Sequence, residues 1–573
     1  MGAIEDGRRD LAAWRGARPD DYYAATPNLA RVLALRVGAQ RAQAMAPRLH
    51  AFGQAVAAVV DPAAETQERH RSLPALVPTD GIGVRRDAVE FHPAHDVAGR
   101  AVWSSGLLTA ERDGEGVAEV AALFYLLSHA GEGGHACPVT CTIGLARALE
   151  HRADAALGER YLPVLRSTDY DRAARASQFL TEVQGGSDVG ANATEAVPDG
   201  TEPGAWRLHG EKWFCSVADA ELFALTARVR GGPPGTRGLG CFLVPRTLDG
   251  TTPNGFRVRR LKDKLGTRAL ASAEIDFEGA LGWPIGPVAE GFHVAVGELL
   301  NTSRWLNAVG SAGIMRRAYL EASSFARHRR AFGSAIGIYP LVRQQLAVMK
   351  VEEQAALAST MALTAVLDRL DRGEAGEDDA AVHRFVVNAN KYVTSIAASD
   401  VVHRGIEVLG GNGTIEDFSC LPRLYRDAIV FESWEGSHNV LCAQVHRDCV
   451  RLGLLDPVLA WVRSELAAAG EAAGEAGKTV GIALDALEPR LQRSLADPPY
   501  AAAHFRGQLD RLLRVVQAAC LLAEAAGGSA AGAEEKVAVA RFFVHRHLDP
   551  GYDPEDDPHW AQLVDGVLAG DAG

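Results

Sequence analysis

The feature that most constrains this chain is a change of rhythm between about residues 176 and 290. On both sides the sequence is rich in Ala, Leu and Val. Inside this stretch Gly, Pro, Thr and Asn become frequent, and apolar residues come in short runs such as Leu222-Phe223-Ala224-Leu225, Cys241-Phe242-Leu243-Val244 and Ala273-Glu274-Ile275-Asp276-Phe277. Short apolar runs bounded by turn residues read as strands of an antiparallel barrel or sandwich. The order therefore predicts an α+β multidomain fold. It has an N-terminal α-helical domain (1–174), a middle antiparallel β domain (175–290), a C-terminal α-helical bundle (291–454) and a helical extension (455–573).

The helical reading rests on period. Trp305, Ala308, Val309, Ala312, Met315, Tyr319, Ala322 and Phe325 recur at steps of three and four and predict one apolar stripe. A second helix is expected from Pro340, a good first-turn residue, to Gly373, and a third from about Ala381 to Leu409. The acidic run 371–379 between them reads as a solvated turn. From about Asn28 to Leu165 the text is helical throughout, broken by loops such as 69–74. The tail carries flexible-looking stretches at 467–470 and 527–530.

Composition removes several function classes. The 573 residues carry a net charge of −13, which argues against a general nucleic-acid coat. No apolar run is long enough for a membrane span, and Met1 to Asp21 lacks an apolar signal core, so a cytoplasmic protein with no membrane role is expected. The eight cysteines form no CxxC pair; buried thiols and no metal site are expected.

Four short segments carry candidate chemistry. The first is Phe179-Leu180-Thr181-Glu182-Val183-Gln184-Gly185-Gly186-Ser187-Asp188, where a Gly pair lets backbone approach a ligand and hydroxyls flank it. The second is Glu211-Lys212-Trp213-Phe214-Cys215-Ser216, a strand end whose rings can cover a planar cofactor. The third is Gly410-Gly411-Asn412-Gly413, after a long helix. The fourth runs through Leu421-Pro422-Arg423-Leu424-Tyr425-Arg426-Asp427 to Phe431-Glu432-Ser433-Trp434-Glu435-Gly436-Ser437-His438-Asn439. Taken singly, these fit a tight turn, a core aromatic cluster, a helix cap and a surface carboxylate.

In this order and around this β unit, the segments resemble the acyl-CoA dehydrogenase superfamily of flavoproteins. The resemblance is to its AidB-like branch, the adaptive alkylation-response flavoproteins. It is carried also by Phe91-His92-Pro93-Ala94, Cys137-Pro138-Val139-Thr140 and Arg260-Leu261-Lys262-Asp263-Lys264-Leu265-Gly266, and it spans roughly Phe91 to Arg451. It implies FAD as cofactor, lined by Phe179, Leu180, Thr181 and Ser187, with Phe214, Cys215 and Ser216 against the ring. Trp434, Gly436, Ser437 and Asn439 would close the site from the bundle. Arg329 and Phe332 resemble a pair that reaches FAD from a neighbouring subunit of a homotetramer.

Glu435 matches the position of the catalytic base. A thioester α-proton is a poor acid, so a carboxylate must be aimed at it. The implied reaction is α,β-dehydrogenation of an acyl-CoA, with hydride passing to flavin N5, and the electron acceptor is left unspecified. Glu432 is the nearest other carboxylate. Val183-Gln184 stands where β-oxidation enzymes have Pro-Gly, Glu407 where Gln is common, and Trp434 narrows the acyl channel. Two alternatives follow from these departures. One is a DNA-associated protective flavoprotein with residual dehydrogenase activity; the other is a flavin oxidase or monooxygenase on a non-CoA substrate. DNA is disfavoured, because residues 455–573 hold ten Lys and Arg against eighteen Asp and Glu. The compact basic group there is Arg506, Arg511 and Arg514, expected as a solvated helix face.

Overall fold

The computed structural model describes residues 2–527 and 532–571, so most of the stretch 527–530 lies outside it. Its contacts divide the chain into two interleaved units. One comprises residues 1–57, 115–129 and 307–573; the other comprises 58–114 and 130–306.

The second unit holds the sheet. Seven strands pair in the order Ala176–Phe179, Leu222–Val229, Glu195–Pro198, Trp206–Ser216, Ser272–Pro284 and Leu239–Pro245, with Phe256–Leu261 added beside Ser272–Pro284. Leu222–Val229 also pairs with Leu239–Pro245, so five of the strands close into a ring. Closure removes free strand edges. Most ladders are antiparallel, as the short runs imply. Two are parallel: Ala176–Phe179 and Glu195–Pro198 both run alongside Leu222–Val229. The sequence gives no sign of these, because parallel neighbours are joined by long connections rather than tight turns.

A second departure lies nearer the N-terminus. Ala75–Thr79 and Arg85–Glu90 form a two-stranded hairpin inside what reads as helical text. Asp80 makes the turn, its carboxylate accepting from the amides of Ile82 at 3.0 Å and Val84 at 2.9 Å. The signal was there in Asp80-Gly81, a turn dipeptide between β-branched residues.

The first unit is helical. Pro340–Asp371 and Glu377–Leu409 are long helices packed side by side, followed by Leu421–Ser433 and His438–Leu452. The acidic run is only partly a turn: Glu377, Asp378 and Asp379 form the first turn of the helix, where negative charge meets the positive end of its dipole. The expected single stripe on Asn301–His328 is instead burial on nearly every side, including Arg317 and Glu321. The extension packs onto the bundle through charge. Glu352 sits 3.1 Å from Arg514, 3.2 Å from Arg546 and 2.6 Å from His547, and Lys350 lies 2.9 Å from Glu535. All eight cysteines are buried, and none forms a disulfide. Among the described residues no helix is long and apolar enough to cross a membrane, and no cluster of three or more potential metal ligands occurs.

Candidate active site

In the sheet unit, two of the singled-out segments converge on one buried ion pair. Lys212 lies wholly buried in Trp206–Ser216, and its ammonium is 2.7 Å from the Glu182 carboxylate. Glu182 also accepts from the backbone amides of Ala193 at 2.6 Å and Thr194 at 3.1 Å, and from the Gln184 side chain at 2.7 Å. Burial pushes this carboxyl up, but Lys212 and the amides outweigh it and hold the group below the usual carboxylate range. The Gly-rich loop is therefore folded around a carboxylate. The Trp213 amide completes the join by donating to the Thr181 carbonyl at 2.9 Å.

A bulge then sorts the aromatic segment into two faces. The register of Trp206–Ser216 against Ser272–Pro284 shifts between Lys212 and Cys215. One extra residue reverses the alternation. Phe214 is turned outward and is 54% exposed, while Cys215 is fully buried with its thiol donating to the Lys212 carbonyl at 3.4 Å. Burial pushes that thiol up in pKa. Phe214 and Cys215, read together as facing one ring, thus have side chains on opposite sides of the strand.

The outer face gathers cations and hydroxyls. The Lys262 ammonium lies 3.6 Å from the Trp213 ring centre and 4.8 Å from that of Phe214, and pairs with Glu274 at 2.8 Å. Ser216 and Ser272 hydroxyls are 3.0 Å apart, and Lys264 donates to Ser272 at 3.0 Å. Thr181 is half-buried and Ser187 exposed. A Cβ at Gly186 would come within 2.7 Å of the Thr181 hydroxyl, so any side chain there would have to displace Thr181. Phe179 and Leu180 are instead core residues; Phe179 packs on Phe223 with ring centres 5.1 Å apart.

The helical unit presents the other candidate residues on one connection. Leu421–Ser433 ends as the Trp434 amide bonds the Val430 carbonyl at 3.0 Å, and His438–Leu452 begins after Ser437. Between them Glu435 has φ +60°, left-handed for a side chain with a Cβ, and Gly436 has φ +108°. Lys391, buried on Glu377–Leu409, donates to the Glu432 carbonyl at 3.0 Å and the Gly436 carbonyl at 3.2 Å. Glu432 is engaged by the Ser399 hydroxyl and by His438 Nε2 at 3.1 Å. Burial raises its pKa, but His438, Ser399 and Lys391 bring it below the usual range. Trp434 packs on Phe431, ring centres 4.7 Å apart. The Trp434 indole N–H and His438 Nδ1 are buried and have no partner among the described residues.

Asn439 is held by Arg506, which donates to its Oδ1 at 2.7 Å and to the Tyr392 hydroxyl at 3.0 Å. Arg514 pairs with Glu352. The expected solvated basic face is thus two-thirds engaged within the fold: Arg506 by hydrogen bonds and Arg514 by an ion pair. The segment 330–335 forms a tight hairpin whose tip, Phe332, is 96% exposed at φ +51°, with Arg329 half-buried before it. Sequence reasoning quoted Glu182, Lys212 and Lys262 within motifs without giving them a role, and it missed Lys391. The residues that hold the site are polar groups facing inward, where no local pattern marks them.

Comparison with known proteins agrees with this organisation. Residues 18–172 match the profile of the adaptive response protein AidB N-terminal domain, 177–280 that of the acyl-CoA dehydrogenase middle domain, and 289–449 that of the acyl-CoA dehydrogenase C-terminal domain. The putative acyl-CoA dehydrogenase AidB of Escherichia coli is 36% identical over 386 residues, 65% of this chain and 69% of that protein. ACDH-11 of Caenorhabditis elegans, solved in complex with C11-CoA, matches with a TM-score of 0.84 at 26% identity, over 95% of this chain and 93% of that one. A structure described as the apo-form of Bd2924 matches with a TM-score of 0.81 at 28% identity, over 88% of this chain and 98% of that one. Three matching domains in this order, with a relative at this identity, place the chain in the acyl-CoA dehydrogenase family of flavin-dependent oxidoreductases, in its AidB-like branch.

Proposed function

We propose that this chain binds FAD and dehydrogenates an acyl-CoA thioester at its Cα–Cβ bond, with Glu435 as the base. The observation that carries the reading is the backbone of Glu435. A non-glycine residue at φ +60° costs about 1–3 kcal/mol, and such strain persists where surrounding structure demands a particular side-chain direction. Glu432, the rival carboxylate, is already bonded to His438 and Ser399.

The residues fit the cofactor. Trp434 offers an indole N–H with no partner among the described residues, beside Gly436 and Ser437. On the sheet unit, the exposed Phe214 ring with Lys262 over it, together with Thr181, Ser187 and Ser216, suits a planar group carrying phosphates. Phe179, Leu180 and Cys215 contribute the wall behind that face. Bound FAD supplies a two-electron acceptor for the hydride leaving the β carbon. Glu435 takes the α proton on its carboxylate, so the thioester loses one proton and one hydride and gains one C=C bond. In this reading the Glu435 amide donates to the thioester oxygen as charge develops there.

In this reading the protein is a homotetramer, and the Phe332 hairpin meets a neighbouring subunit. An aromatic ring 96% exposed at a hairpin tip, with Leu341 77% exposed and Ile338 59% exposed close in sequence, is a surface suited to burial by a second copy. The test starts from the purified protein, which should carry flavin absorbance and form a tetramer by light scattering. Anaerobic decanoyl-CoA, chosen because ACDH-11 was solved with a C11-CoA, should bleach the flavin. A folded protein that neither holds nor gains stability from FAD would sink the cofactor assignment. A flavin that stays oxidised across acyl-CoA chain lengths would sink the reaction.

A further inference from the structure

We infer that Lys391 is the positioning residue of this active site: a clamp that holds the Glu435 loop in its left-handed conformation. The inference rests on the reading of Glu435 as base. It is drawn from two bonds made by one ammonium on either side of that residue. Lys391 Nζ donates to the Glu432 carbonyl at 3.0 Å, three residues before Glu435, and to the Gly436 carbonyl at 3.2 Å, one residue after it.

The first carbonyl belongs to the last turn of Leu421–Ser433. Carbonyls there have no partner within their own helix, and a cation is favoured by the negative end of the helix dipole. The second lies past the turn, at a glycine with φ +108°. One donor therefore ties the end of a helix to the far side of the loop, and Glu435 occupies the span between. Lys391 itself sits on a long helix with none of its surface exposed, flanked in sequence by the buried Asn390 and Tyr392. A buried ammonium keeps its charge only where acceptors surround it, and these two carbonyls are among those that Lys391 uses. Holding a base in place this way lowers the reorganisation required when the proton moves.

The clamp makes a prediction that a merely stabilising lysine does not. Lys391→Met removes the donors and keeps the chain length. In the FAD-loaded protein, hydrogen exchange across 433–438 should quicken by roughly tenfold or more. Anaerobic flavin reduction by decanoyl-CoA should slow by roughly 100-fold at saturating substrate. The apparent pKa in the pH profile of reduction should move, and Lys391→Arg should restore part of the rate. A lysine that only stabilised the helix would lower the melting temperature and leave the pH profile in place. If Lys391→Met does not fold, Lys391→Gln keeps one donor and should show the same quickening of exchange. Wild-type exchange across 433–438 in either folded variant overturns the clamp. Wild-type protein that holds FAD but is not reduced by acyl-CoA refutes the Glu435 reading instead, and the exchange measurement still judges the clamp.

Discussion

The two loops that carry the candidate site are built in opposite ways. In the sheet unit the Gly-rich loop is organised around an anion: Glu182 at its centre accepts from a lysine, two backbone amides and a glutamine. In the helical unit the loop 432–437 is organised around a cation: Lys391 donates to two carbonyls. The difference decides what each loop can offer. Where a carboxylate is the fastener, the outward groups are an aromatic ring and hydroxyls, suited to binding. Where an ammonium is the fastener, a carboxylate residue stands at the tip of the turn, the place the proposed reaction gives to its base. The same two residue types exchange structural and chemical roles between the units.

Substituting the two glutamates should separate these roles. Glu435→Gln keeps shape and removes the base, so acyl-CoA-dependent flavin reduction should fall by roughly 10²–10⁴-fold with the unfolding midpoint unchanged. Rapid-mixing kinetics beside urea melts would check both halves; an intact rate would transfer the base to another group. Glu182→Gln should do the reverse. It leaves a fully buried ammonium without its counter-charge and should destabilise the fold by about 3–5 kcal/mol in urea titration. Flavin content should drop with it. A Glu182→Gln protein of wild-type stability would mean that the loop is held by its backbone bonds alone, and the contrast drawn above would fail.

The smallest effect concerns acid. The sheet unit also buries His95, stacked between Phe91 at 4.0 Å and His135 at 4.3 Å, with Nδ1 3.0 Å from Gln67 Oε1. Burial pushes His95 down to about 3, and His135 is depressed as well. Below about pH 6.5 the unfolded chain takes up protons that these rings refuse. Their stabilising contribution is therefore complete above pH 6.5 and declines as pH falls toward 3. At one proton per ring, going from pH 6.5 to 5 costs about 2 kcal/mol for each. His95→Gln should roughly halve that slope in urea melts at pH 7 and 5. An unaltered slope would place the acid sensitivity elsewhere, outside this cluster.

Period carried most of the architecture. Pro340 and the spacing of Leu346, Met349 and Leu363 marked one long helix to within a few residues, and the change of rhythm marked the sheet. Several things were hidden, each for a physical reason. The hairpin Ala75–Glu90 is too short to break a helical average. The parallel pairings depend on chain segments far apart in sequence. The bulge that turns Phe214 out leaves no mark in composition. Glu182 and Lys212 lie thirty residues apart, and only the fold reveals that both point inward. Lys391 is the clearest case: a lysine in helical text reads as surface, and its burial is visible only once Leu421–Ser433 has ended beside it.

The interleaving of the two units has a consequence for synthesis. The helix Val117–Leu127 has all eleven of its residues buried, and it belongs to a unit otherwise made of residues 1–57 and 307–573. One of its packing partners is Pro340–Asp371. During translation this apolar helix leaves the ribosome long before that partner exists, an interval on the order of ten seconds or more at ordinary elongation rates. The sheet unit can close as soon as residue 306 has emerged, while this helix still waits. The nascent chain therefore presents a greasy, unsatisfied segment for much of its synthesis, and its yield depends on what shields Val117–Leu127 during that wait.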